Sequence, residues 1–181
     1  MHLSALPLLR VLVAGAIFCA IATSIVAAQE SESTQQIRIQ RVVDAISARL
    51  GIAEPVRVSI VPSNRLLMSV EPAEHFFELK VEEGFADRLG NAELTAAVAH
   101  ELGHVWIFTH HPFLQTEQLA NEIAMRLVER DVLAQLYDKV WKQVGFKGDL
   151  DRFLGPLPVR GLAPLEPPPA EDAPAATAPE N

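Results

Sequence analysis

In "AVAHELGHVW", residues 97–106, His100 and His104 bracket Glu101 inside an otherwise apolar run. An α-helix turns about 100° per residue, so His100 and His104 lie one turn apart and about 40° apart around the axis. Both imidazoles can reach a single metal ion. Glu101 points about 100° away from His100, too far round to share that ion as a ligand but near enough to reach a water beside it. Gly103 leaves room for another helix to pack closely. Two neutral imidazoles, one carboxylate and one open position suit zinc, which lowers the pKa of its water to about 7. Glu101 is then the expected general base, taking a proton from water and returning it to a leaving amine.

This is the HExxH arrangement of zinc metallopeptidases, and it needs a third ligand. His110 lies six residues after His104, as a metzincin's third histidine does, but Ile107 stands where that family needs a glycine to break the helix. His110 and His111 read instead as residues at a helix C-terminus, favoured there by the dipole. Glu117 and Glu122 remain, inside "EQLANEIA". They are about 140° apart on one helix, so only one can face the ion. The apolar stripe of Leu119, Ala120, Ile123, Ala124 and Leu127 is centred about 80° from Glu117 and about 140° from Glu122. Glu117 therefore borders the buried face and is the preferred ligand. Glu122, which keeps the "NE" spacing of thermolysin-like enzymes, is the alternative. Asn121, on Glu117's side, is placed to accept a hydrogen bond from a ligand histidine. His75, His111 and Arg126 are candidates for stabilising the tetrahedral intermediate, with none singled out. Tyr137, about 30 Å past Glu117 on an unbroken helix, reads as core.

The elements that position these residues follow from hydrophobic periodicity. Ile39, Val42, Val43, Ile46 and Leu50 mark a helix stopped by Gly51. "VRVSIVPS" alternates as a half-buried strand. "RLLMSVEP" and "HFFELKVEEG" are two more strands, and "EGFADRLG" is a short helix. "RLLMSVEP" is also a candidate sheet edge onto which an extended substrate adds as a strand. Asn91 is placed to cap the HExxH helix. A second long helix is expected from about Thr116 to Val144. The expected fold is α+β: a small antiparallel sheet packed on helices, a minimal zincin-like metallopeptidase domain over residues 35–154.

The remaining segments differ in composition. Residues 1–28 pair Arg10 with an apolar run ending in "VAA", which reads as a signal peptide cleaved after Ala28 or as an N-terminal anchor. The protein is then expected to be exported, periplasmic or extracellular, with membrane contact only if that segment is retained. Cys19, the only cysteine, falls inside it, so no disulfide is expected in the mature chain. Residues 155–181 are rich in Pro and Ala without apolar period, and are expected to be a disordered tail. The 181-residue chain carries 15 basic and 23 acidic side chains, a net charge of −8. That balance argues against nucleic acid or an anionic membrane surface as the main partner.

The stretch "NAELTAAVAHELGH" followed by "EQLANEIA" resembles the HtpX-like and CAAX-prenyl-protease-type gluzincins. Their pattern is an AHExxH helix and then a helix carrying E-x-x-A-D-x-x-A. "VSIVPSN" and "FFELKVEEGFADRLG" are similar to that family's sheet edge and to the segment entering its active-site helix, so the resemblance spans about residues 55–130. It implies His100, His104 and Glu117 as zinc ligands, Glu101 as catalytic base, and peptides or unfolded protein as substrate. Asn121 stands where the family has an aspartate, and the link between the two helices is much shorter. Those departures motivate a second expectation: a zinc-bearing, non-hydrolytic binding or chaperone-like module of the cell envelope.

Overall fold

The computed structural model of the chain describes residues 34–146 and 148–157. The expected signal or anchor segment and the tail beyond residue 157 lie outside the described residues. The architecture is α+β. Helix α1 (residues 34–50) places Ile39, Val43 and Ile46 fully in the core and ends at Gly51, whose φ of 69° is the left-handed conformation that a helix terminus favours. Three strands follow: β1 (Val56–Val61), β2 (Met68–Pro72) and β3 (Phe77–Glu82). After a 3-10 turn (Ala86–Arg88), α2 (Asn91–His110) carries the HELGH stretch. A second 3-10 turn (Pro112–Leu114) leads to α3 (Glu117–Ala124), α4 (Arg130–Val144) and α5 (Leu150–Leu154).

The sheet is mixed rather than the antiparallel sheet expected from the sequence. Its strand order is β1-β3-β2. β3 pairs antiparallel with β2, from Met68 opposite Val81 to Pro72 opposite Phe77. It also pairs parallel with β1, from Val56 opposite Phe77 to Val61 opposite Glu82. The physical reason is the link 62–67, which is long enough to cross two strand spacings, about 10 Å, and leaves the central place to β3. Leu67 closes this link with a φ of 65° and a hydrogen bond from its N–H to the Asn64 carbonyl at 2.9 Å.

The two outer edges are treated differently. On β1, the Gln40 side chain donates to Val56 O at 2.8 Å and accepts from Val58 N–H at 2.9 Å, while Gln36 donates to Val58 O at 2.7 Å. Helix α1 therefore occupies that edge. β2 forms the other edge, lies against α2 and ends at Pro72, a residue that sheets tolerate at an edge.

α2 is apolar around most of its circumference: Ala96, Val98, Ala99, Leu102, Val105 and Ile107 are all fully buried. A helix hydrophobic on every side belongs in the core. Its cap is Gly90 and not the expected Asn91, which lies inside the first turn and accepts a hydrogen bond from Arg38. The Glu93 carboxylate takes the N–H of the cap residue itself at 2.9 Å, the half of a capping box that the third helical residue supplies.

The expected single helix from Thr116 to Val144 is two helices. Between α3 and α4 the chain tightens into short-range hydrogen bonds, Arg126 N–H to Ile123 O at 3.1 Å and Leu127 N–H to Ala124 O at 2.9 Å. Met125, Leu127 and Val128 are all buried there. Burying this run outweighs the intrinsic preference to continue the helix, and α4 turns back across α2.

Candidate metal centre

His100 and His104 project from the middle of α2 on adjacent turns, with ring centroids 4.9 Å apart. Glu117 comes from the first turn of α3. That turn is set by Thr116, whose hydroxyl accepts the Leu119 N–H at 3.1 Å. Glu117 reaches His100 Nε2 with Oε2 at 3.2 Å and His104 Nε2 with Oε1 at 3.6 Å. One ligand atom from each residue lies within 4.8 Å of the others, an arrangement able to hold a metal ion. Zinc bonded to nitrogen and oxygen at about 2.05 Å in a tetrahedron sets its ligand atoms about 3.3 Å apart; the two His–Glu separations are of that order, each to a different oxygen of Glu117.

The approach of α3 to α2 makes this meeting possible. A Cβ built on Gly103 would lie 2.8 Å from Ala120 O, so only glycine lets α3 cross at this height. The short link is accommodated by the Pro112–Leu114 turn, with proline at its first position. His110 and His111 do not join the site: His110 stacks on Trp106 with centroids 4.3 Å apart, and His111 is the cap of α2. Glu122 points away and pairs with Arg126 at 3.1 Å.

Burial and charge tune the groups in different directions. The two histidines hold the Glu117 carboxyl far below the usual carboxylate range, His100 first and then His104, against an opposing effect of burial. Burial alone would lower the His104 imidazole, but hydrogen bonding to Glu117 and the charges of Glu101 and Glu117 leave it raised. Glu101 is pushed up, chiefly by burial, although His100, His104 and a hydrogen bond from the Val70 backbone work against the shift. A carboxylate with a raised proton affinity beside a candidate metal centre is suited to proton transfer.

Tyr137 is the residue that sequence reasoning placed in the core and away from the site. It is buried, as expected, but the break before α4 brings its hydroxyl to 2.9 Å from His100 Nδ1 and 3.0 Å from Asn121 Oδ1. Asn121 therefore meets Tyr137 and not the histidine directly. Gln115, unnoticed in the sequence, stands with Oε1 3.3 Å from His104 Nδ1 and donates from Nε2 to the His104 carbonyl at 3.1 Å. One signal could have found Tyr137: Leu133, Leu136, Tyr137 and Val140 form a helical stripe, and this is the chain's only tyrosine. Gln115 carries no such signal.

A cleft of about 500 Å³ opens on these residues. Met68 and Val70 of β2 line one side, and Leu136, Val140 and Phe153 another, with Leu66 and Phe108 also in the wall. His75, His111 and Arg126 are not among its lining residues. No family model matches the chain, and comparison with curated proteins and with solved structures returns no match.

Proposed function

We propose that this protein is an exported zinc-dependent metallopeptidase, a minimal relative of the HtpX-like gluzincins, that cleaves extended or unfolded polypeptide segments. The observation that carries the reading is the convergence of His100, His104 and Glu117 on one point, with Glu101 on the next residue of α2. Zinc held there would act as a Lewis acid on water and on the scissile carbonyl. His100, His104 and Glu117 would hold the ion. Glu101 accepts the proton of the attacking water and delivers it to the leaving amine. The apolar cleft favours bulky apolar side chains near the cut bond. The outer edge of β2, alongside the same cleft, gives an extended chain a strand to pair with.

Replacing Glu101 with Gln tests the reaction without removing a ligand. Cleavage of casein or of an unfolded protein should fall by at least about 100-fold, as for loss of a general base, while zinc stays bound. A wild-type protein that holds zinc and binds unfolded chains, yet never cleaves them, would make it a binding module.

A further inference from the structure

The histidines present Nε2 to Glu117, and their other nitrogens are engaged by neutral groups. Around His100 the donor order is forced from the far end. Asn121, fully buried, donates from Nδ2 to the Phe153 carbonyl at 3.0 Å. This fixes its amide with Oδ1 toward Tyr137. An amide oxygen only accepts, so the single Tyr137 hydroxyl proton goes to Asn121. The hydroxyl oxygen is then left as an acceptor, and His100 must donate from Nδ1. Around His104 a single residue fixes the order. Gln115 gives its amide protons to the His104 carbonyl, which turns Oε1 toward His104 Nδ1.

We infer that Tyr137, backed by Asn121, and Gln115 are positioning residues that hold both histidines with the proton on Nδ1 and the Nε2 lone pair free for the metal. The inference rests on the proposed metal site and deepens it. Both orienting acceptors are uncharged, and each is fixed by an amide anchored to a backbone carbonyl. A histidine bound to metal commonly gives its other N–H to a carboxylate, a carbonyl or water, and losing that partner weakens metal binding about 10–100-fold. Here a phenol and two amides do that work, so the rings are oriented without a carboxylate making them more basic.

The experiment is a chelator-competition titration of zinc on the full chain, combined with ¹⁵N NMR of the histidine rings in the zinc-loaded protein. Two Nδ1-bound protons protected from exchange are expected, one from each histidine. Tyr137→Phe should weaken zinc about 10–100-fold and expose the His100 proton to exchange. Gln115→Met, at an exposed position where folding is not at risk, should do the same for His104 alone. Zinc affinity within twofold of wild type in both variants would overturn the inference, as would rings that carry their protons on Nε2. A protein that binds zinc with this signature but cleaves nothing leaves the inference standing and removes only the peptidase. A folded protein that takes up no zinc removes both.

Discussion

Glu117 and Glu122 sit five residues apart on α3 and differ in everything that matters to a metal. Glu117 lies within 3.6 Å of both imidazoles, whereas Glu122 pairs with Arg126 at the surface. Glu117→Ala should therefore abolish stoichiometric zinc binding, read by metal analysis. Glu122→Ala should leave zinc in place and change stability by no more than about 0.5 kcal/mol, the usual worth of an exposed helical pair. The choice between them is legible in the sequence because the apolar phase of a short amphipathic helix fixes which carboxylate borders the core. Tyr137 is not legible in the same way. Its role depends on where α4 returns, and no local pattern encodes that. Asn121→Asp separates two effects. A further carboxylate, beside Glu101 and Glu117, should tighten zinc, but it forfeits the donor to Phe153 O in a fully buried place. The zinc-free variant should melt below the wild type by about 1–3 kcal/mol of stability, with zinc restoring part of that difference.

At the level of elements, the site depends on two contacts made by α2. Gly103→Ala would push a methyl into the Ala120 carbonyl. Such overpacking costs about 1–3 kcal/mol, and because it shifts α3 it should also weaken zinc. Calorimetry and a zinc titration on the same sample read the two effects. The second contact ties α2 to α4, where Lys139 Nζ meets the Glu93 carboxylate at 2.6 Å beside its hydrogen bond from Gly90 N–H. Burial of Glu93 opposes ionisation, but Lys139 and Gly90 outweigh it, and its pKa is lowered. A carboxylate with a lowered folded pKa contributes stability above its ordinary value of 4.5 and loses it as pH falls through the folded value. Lys139 is half exposed, so the pair is worth no more than about 1 kcal/mol. Glu93→Gln should be destabilised at pH 7 and approach the wild type below pH 4.5, in denaturant melts across that range. Most of these elements are legible as periods of two or 3.6. The mixed pairing of β1 with β3 is not, because strand order is a property of the link 62–67 and of the tertiary fold. The break at residues 125–129 is hidden because each residue there tolerates a helix, and only the burial of Met125, Leu127 and Val128 together ends it.

At the scale of the molecule, β2, the cleft and the candidate metal centre adjoin one another: Met68 and Val70 line the same cleft as His100, His104 and Glu117. Among the described residues, no helix is long and apolar enough to cross a membrane. Leu66 and Phe108 stand largely exposed in the cleft wall, 69% and 45%. Leu66→Asp should raise KM for apolar peptides several-fold while zinc content holds, since Leu66 lies in the link 62–67 and not on a ligand-bearing helix. A loss of zinc in that variant would show that the cleft and the candidate metal centre are not separable in this way. Zinc content of the purified protein tests the central claim most directly. About one tightly held zinc per chain is expected, lost in His100→Ala. A folded wild-type protein that remains metal-free after equilibration with zinc would contradict the account.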